Sequence, residues 1–261
     1  MKIACIQLDI KWEDIKNNLS RTKAYIKEAR TKGAELICLP ELFSTGVTTD
    51  SSKFAENLNG QIYNFLSEQA KRNEVYILGS FIECNGNKLP KNTAVVFNPQ
   101  GLFVGKYNKN HVFTYNNEDK SYSTGNDLLI FKLKDFNICP FICYDLRFPE
   151  IFRIAVDKGA NVFIILANWP NPRKDHWITL LKARAIENQA YVIGINRVGS
   201  SPTLSFFGNS MILSPKGQII GRLGNKEEIL IGEINIDSLN EWRNSFYSLG
   251  DRRINYYDSL K

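Results

Sequence analysis

Only two histidines, His111 and His176, occur among the 261 residues, which leaves little room for a histidine-rich metal site or a histidine relay. The five cysteines (Cys5, Cys38, Cys84, Cys139, Cys143) are odd in number and unevenly spaced, and none forms a Cys-x-x-Cys pair. That argues against zinc ribbons and thioredoxin-like redox motifs, and for reduced thiols rather than a disulfide framework. No apolar run approaches the ~20 residues of a membrane span. The opening Met1-Lys2-Ile3-Ala4-Cys5 lacks a signal peptide's long apolar region, so the chain reads as cytoplasmic and without a membrane partner. Also missing is any block of five like charges. The 33 basic and 27 acidic residues leave a formal charge of +6, but the signs are mixed along the chain. A solvated surface with mild attraction for small anions fits this better than nucleic-acid binding.

What is present is a soluble globular composition, 43% hydrophobic and 23% charged. The chain opens as β-α-β. Ile3 to Leu8 is a short apolar strand, and Ile15, Leu19, Thr22, Ile26 and Ala29 recur at helical spacing, with Gly33 placed to end that helix. Leu36 to Leu39 is the next strand, closed by Pro40 and followed at once by Glu41. A helix near Ile62–Arg72, a strand at Val75–Phe81 and a hairpin through Asn85-Gly86 follow. Strands alternating with helices predict an α/β fold.

The sequence also echoes itself. Lys32-Gly33-Ala34-Glu35-Leu36-Ile37 returns as Lys158-Gly159-Ala160-Asn161-Val162-Phe163, and Tyr76-Ile77-Leu78-Gly79 as Tyr191-Val192-Ile193-Gly194. Val96-Phe97-Asn98-Pro99-Gln100-Gly101 returns as Ile212-Leu213-Ser214-Pro215-Lys216-Gly217. The offsets are 126, 115 and 116 residues, and the order is kept. This predicts a duplicated half with a pseudo-two-fold axis: two α/β halves packed sheet on sheet, helices outside, one site between them. No Pro/Gly/Ser-rich linker separates the halves, so residues 1–261 are expected to form one domain.

Cys143 is the cysteine with chemical context. The run up to Ile142 reads as a buried strand and Pro149 to Lys158 as a helix, so Cys143 sits just past a strand's carboxyl end. A strand-to-helix turn exposes a nucleophile and aims backbone N–H groups at a developing oxyanion. A buried core cysteine is the competing reading. His111 and His176 read as hydrogen-bonding structural residues, which leaves carboxylates as candidate bases. Glu41 follows a buried strand at the place in half one that Asn168 occupies in half two, and desolvation there suits general-base work. Lys106 has a counterpart in Arg222 and reads as structural. Lys109 has none, and beside a thiol it would stabilise a thiolate and then an oxyanion. Glu118 is placed to hold that ammonium. These residues are candidates on physical grounds alone, not a triad.

Three ordered segments carry a resemblance: Leu39-Pro40-Glu41-Leu42-Phe43, Tyr107-Asn108-Lys109-Asn110-His111-Val112-Phe113, and Ile142-Cys143-Tyr144-Asp145-Leu146-Arg147-Phe148-Pro149-Glu150. The chain resembles the carbon–nitrogen hydrolase (nitrilase) superfamily over nearly its whole length, with Val112 where many relatives carry Leu. The resemblance implies a four-layer αββα sandwich, usually a homodimer, that needs no metal or organic cofactor. It implies Glu41 as general base, Lys109 as oxyanion-stabilising lysine, Cys143 as nucleophile and Glu118 as auxiliary glutamate. Ala167-Asn168-Trp169-Pro170-Asn171-Pro172-Arg173 with His176-Trp177, and the run from Ala183 to Tyr191 ending at Asn196-Arg197-Val198-Gly199, look most like the omega-amidase branch. That branch hydrolyses the terminal amide of short 2-oxo dicarboxylate monoamides such as 2-oxoglutaramate. Tyr144 (through its N–H), Asn168, Trp169 and Arg173 are the expected substrate-binding residues, with Arg173 the cation for the distal carboxylate. Arg147 and Arg184 are expected in structural ion pairs. Other small amides, N-carbamoyl amines, nitriles and a non-catalytic binding role stay open, as does whether the aromatic tail of residues 243–261 crosses a dimer interface. The loops Ser44–Lys53 and Asn116–Thr124 are expected to set specificity.

Overall fold

The first echoed segment spans a helix end and the strand after it, the second the strand that follows the next long helix, and the third a strand end and its turn. In the computed structural model, which describes residues 1–260, α1 (Ile15–Thr31) starts on Asp14, whose side chain accepts the Asn17 N–H. It stops at Gly33, whose φ of +87° only glycine adopts without strain. Ala34 then turns into strand β2 (Leu36–Cys38), following β1 (Lys2–Gln7). The second half repeats the device: α4 (Pro149–Asp157) has Pro in its first turn, ends at Gly159 with φ +91°, and passes through buried Ala160 into β8 (Val162–Ala167). Likewise α3 (Gln61–Asn73) leaves through left-handed Glu74 into β3 (Tyr76–Asn85), and α5 (Lys174–Asn188) through left-handed Gln189 into β9 (Tyr191–Asn196). A short α2 (Ser51–Phe54) lies between β2 and α3.

Two six-stranded sheets result. In the first, β1, β2 and β3 are parallel, and β4 (Lys88–Phe97) and β5 (Phe103–Asn108) add antiparallel at one edge. In the second, β7 (Phe136–Ile142), β8 and β9 are parallel, with β12 (Met211–Leu213) and β13 (Ile219–Arg222) added the same way. The other edges are closed by strands the sequence reading did not anticipate. β6 (Phe131–Leu133) pairs antiparallel with β7, and β14 (Glu228–Glu233) returns from the far end of the chain to pair antiparallel with β1. β14 stands to β1 as β6 stands to β7, which extends the duplication to every strand of both sheets. A small hairpin, β10 (Val198–Ser200) and β11 (Ser205–Phe207), lies outside the sheets.

Successive strand residues point to opposite faces. Ile3, Cys5, Leu36 and Cys38 enter a buried cluster with second-sheet residues such as Phe141 and Ile193, while Ala4, Ile6, Ile37 and Leu39 pack with Ile26 and Ala29 of α1 and Leu66 and Ala70 of α3. Trp177, Leu181 and Ala185 of α5 and Phe152 of α4 are buried on the second sheet. The layers are therefore helix, sheet, sheet, helix, as expected. Both faces of each central strand are covered, which explains their unbroken apolar runs. Strand ends differ slightly from the sequence reading: β3 runs on to Asn85 because β4 pairs with it as far as Lys88.

After β14 the chain forms α6 (Ile236–Ser245) and α7 (Ile254–Asp258). Trp242 stacks on Phe246 at 5.1 Å, and the Phe246 carbonyl accepts from Gln189 at 2.6 Å, so the start of the tail lies against the α5 end of its own chain. Of the expected tail, Lys261 lies outside the described residues. Among the described residues no helix is long and apolar enough to cross a membrane.

Candidate active site

The carboxyl ends of β2, β5, β7 and β8 converge on one cavity of about 460 Å³ lined by Glu41, Lys109, Glu118, Cys143, Tyr144, Asn168, Trp169 and Arg173, among others. All eight residues singled out in the sequence therefore meet. Glu41, three residues past β2, is fully buried. Its Oε1 accepts from Lys109 Nζ (3.0 Å) and Asn92 Nδ2 (2.8 Å), and its Oε2 from the Asn168 N–H (2.9 Å). Lys109, 2% exposed, also donates to both oxygens of Glu118 (2.6 and 2.9 Å). Glu118 is fixed in turn by the Phe113 N–H at 2.6 Å.

Cys143 stands at the first residue after β7 with φ +43°, a left-handed conformation rare for a side-chain-bearing residue. It opens a 3₁₀ turn, Cys143–Arg147, whose early N–H groups lack partners within the turn. The turn is pinned by Asp145, which is fully buried. Its carboxylate accepts from the Ile142 N–H (3.0 Å), Tyr107 Oη (2.7 Å) and the His111 N–H (2.9 Å), and lies 2.8 Å from His111 Nδ1. His111 stacks flat on Phe148 at 3.7 Å. One carboxylate thus ties the cysteine turn to both sides of Lys109. His111 is a hydrogen-bonding residue, as the sequence suggested, but the clamp built on Asp145 and Tyr107 had no local signal, because its members lie 38 residues apart.

The electrostatics differ from expectation at one point. Burial alone would strip Lys109 of its proton, but the charges of Glu118 and Glu41 outweigh it and hold the ammonium well above the ordinary lysine range. Burial also raises Glu118, against the pull of Lys109. The Cys143 thiol is pushed well above its ordinary value, first by burial and then by the charge of Glu41, and Lys109 does not reverse this. Lys109 therefore does not produce a resting thiolate: two carboxylates already share its charge. The arrangement is a neutral thiol beside a buried carboxylate, with an ammonium fixed next to both.

Arg147 corrects a second expectation. Arg184 does pair with Glu187 at 2.9 Å, but Arg147 meets no carboxylate among the described residues. It lines the cavity, 4.7 Å over the Trp169 ring and 3.2 Å from His176 Nδ1. Arg173 also lines the cavity, 5.1 Å over Phe113, and likewise pairs with no carboxylate among the described residues. Trp169 is held by its indole N–H to the Arg173 carbonyl at 2.7 Å. Asn168 serves Glu41 more than the cavity: besides its N–H, its Nδ2 reaches the Glu41 carbonyl at 2.5 Å, leaving Oδ1 without a partner. Both expected loops contribute, through Val47 and Thr49 and through Asn116 and Asn117. Sequence reasoning missed Asn92, which donates to Glu41, and in the cavity lining Trp12 and the wall formed by Ser201, Pro202, Thr203, Leu204 and Phe206. Neither Trp12 nor the hairpin carries a motif, and only the fold brings them to the cavity.

A family-wide sequence profile described as carbon-nitrogen hydrolase matches residues 2–244, and the chain belongs to that family. A 2-oxoglutaramate amidase of Bacillus subtilis (strain 168) is 35% identical over 256 residues, 98% of both chains. Omega-amidase YafV of Escherichia coli (strain K12) is 33% identical over 250 residues, 94% of both. Among solved structures, XC1258 from Xanthomonas campestris, a CN-hydrolase superfamily protein with an arsenic adduct in its active site, superposes with a TM-score of 0.91 at 30% identity over 97% of each chain.

Proposed function

We propose that this protein is an omega-amidase: it hydrolyses the terminal amide of a small 2-oxo dicarboxylate monoamide, such as 2-oxoglutaramate, to the acid and ammonia. The observation that carries the reading is the pair of guanidinium groups, Arg147 and Arg173, lining the same cavity as Cys143 with no carboxylate partner among the described residues. A cavity with guanidinium groups that pair with no carboxylate favours a substrate that brings its own. The names borne by the Bacillus subtilis and Escherichia coli relatives point the same way.

In the proposed cycle Glu41 takes the thiol proton as Cys143 Sγ bonds to the amide carbon. Lys109 Nζ and the Tyr144 N–H hold the resulting oxyanion. Glu41 returns the proton to the amide nitrogen, the C–N bond breaks, and ammonia leaves a thioester on Cys143. Water then attacks the thioester as Glu41 takes its proton. The C–S bond breaks to release the acid, and the proton passes back to the thiol. No step calls for a metal or an organic cofactor. A neutral thiol suits this cycle, because Glu41 has a proton to remove only if the sulfur keeps one until substrate arrives.

The test is ammonia release from a panel of 2-oxoglutaramate, a neutral amide of similar length, an N-carbamoyl amine and a nitrile. The expected result is preference for 2-oxoglutaramate, lost on Arg147→Met through a KM raised about ten-fold or more with the neutral amide unaffected. Turnover confined to the carbamoyl amine or the nitrile would overturn the reading. The same reading takes residues 1–261 as one cytoplasmic domain acting as a homodimer. Exposed Phe246, Tyr247, Tyr256 and Tyr257 on the tail and Ile154 and Ile186 on α4 and α5 support the pairing. Light scattering that gave a monomer mass would refute it.

A further inference from the structure

Arg197 is fully buried, its guanidinium touches no carboxylate among the described residues, and the proposed cycle does not use it. Burial pushes its pKa down to about 10. Burying a charge with no carboxylate in contact is costly, and the nearby Asp9 charge offsets that cost only in part, so the fork must be doing something a neutral side chain would not. Its hydrogen bonds all go to backbone carbonyls on two separate segments. Nε donates to Val198 O (3.1 Å), and Nη2 donates to Ser200 O (3.1 Å) and Ile10 O (2.5 Å). Its plane lies 4.3 Å over the Phe206 ring. A third segment closes in at Gly46, where an added Cβ would stand 3.4 Å from Nη1 and 3.2 Å from the Trp12 ring. Each contacted segment supplies cavity lining: Trp12 from the loop after Ile10, Val47 and Thr49 after Gly46, and Pro202, Thr203, Leu204 and Phe206 from the β10–β11 hairpin. The hairpin is also bridged to Pro170, on the segment that leads to Arg173.

We infer that Arg197 is a positioning residue for substrate selection: it straps the Trp12 loop to the β10–β11 hairpin and so fixes the wall against which the non-reacting end of the substrate is held. The inference rests on the proposed reading of the cavity as an amide site, but not on which amide is turned over. Arg197 touches none of Glu41, Lys109, Glu118 or Cys143, so its loss should act on substrate fit and leave the reacting groups intact.

The experiment compares Arg197→Lys with wild type, using only those substrates that wild type hydrolyses, so a wrong substrate class shows in the wild-type panel first. Lysine keeps the charge but loses the fork. The expected result is a KM raised about ten-fold for the longest carboxylated substrate accepted, with kcat within two-fold. The shortest accepted amide should keep its KM, and iodoacetamide should alkylate Cys143 at the wild-type rate. Leu204→Gly, at the half-exposed hairpin tip, loosens the same wall without touching the buried charge and serves if Arg197→Lys does not fold. It should show the same length-dependent rise in KM, and the two effects should be less than additive in the double variant. Equal losses for short and long substrates, or unchanged KM in both variants, would overturn the inference.

Discussion

Glu41→Gln separates a base-driven cysteine from a preformed thiolate, because the two predict opposite changes in different assays. In the wild type the Glu41 charge is one of the causes holding the Cys143 thiol up, second to burial. Glutamine removes that charge while Lys109 and Glu118 remain, so the thiol becomes easier to ionise. If a thiolate paired with Lys109 were the resting nucleophile and Glu41 moved no proton in either half of the cycle, the variant would keep its hydrolytic rate. If Glu41 is the base, hydrolysis falls by about 10²–10⁴ in kcat. Alkylation by iodoacetamide at a fixed pH between about 7 and 9, which needs only thiolate, should not fall. The structural cost can be worked out from the contacts. Glu41 Oε1 faces two donors, Lys109 Nζ and Asn92 Nδ2, and Oε2 faces the Asn168 N–H, so either orientation of the new amide sets N–H against N–H. The milder orientation opposes the Asn168 N–H, and at 3.5 Å the Asn168 Nδ2, at about 1–3 kcal/mol. That lowers Tm by roughly 2–4 °C per kcal/mol in a chain near this size, leaving a folded protein at 25 °C. Steady-state ammonia release, alkylation followed by mass spectrometry and a thermal melt complete the assay. Hydrolysis within ten-fold of wild type would refute Glu41 as the base.

Glu118→Gln removes one of the two negative charges on Lys109 and sets an amide N–H against the ammonium or the Phe113 N–H, which misplaces the ammonium and draws it closer to Glu41. A loss of about 10²-fold in kcat is expected, with little change in KM, and a wild-type kcat would count against any role for Glu118 in holding Lys109. Tyr107→Phe removes the 2.7 Å bond to Asp145 and leaves a buried carboxylate oxygen with only the Ile142 N–H. The denaturation midpoint should shift by the equivalent of about 1–3 kcal/mol, and an unshifted midpoint would show the Asp145 clamp to be slack. Because the Cys143 thiol is raised, its thiolate fraction should climb about ten-fold per pH unit through the range 7–9, and its alkylation rate with it. A plateau below pH 8 would reveal a stable thiolate. In the same experiment Cys5, Cys38 and Cys139, all buried with thiols pushed up, should stay unlabelled until denaturant is added.

The halves were legible in the sequence because the device that ends a helix and starts a buried strand is local: a glycine at the left-handed position, a small buried alanine, then β-formers. The strand exits were legible for the same reason, so Glu41, Lys109, Cys143 and Asn168 could be named before their distances were known. What could not be read was anything decided by closure of the sandwich. β6 is three residues long and β14 joins a strand more than 200 residues away, so neither pairing has a local signature. Arg147 departs from the expected ion pair because a charge beside a catalytic-looking turn usually finds a carboxylate, and only the packed structure shows that it pairs with none among the described residues.

The duplication also explains why the site has the polarity it has. The axis that relates β2 to β8 brings their exits together, so the residue past one strand is solvated by the residue past the other. A carboxylate stands at the first exit, and the second exit answers with Asn168, whose N–H and side-chain amide both donate to Glu41. Two carboxylates at these places would repel at contact distance, and two amides would leave no base. The halves therefore had to diverge where they touch, even while their helix ends and turns stayed alike. Glu118 comes from the segment between the halves, outside the repeat. It supplies the second negative charge that keeps Lys109 protonated, and with that charge in place Glu41 need not neutralise the lysine alone. An unrepeated residue thus leaves the repeated one free to move protons.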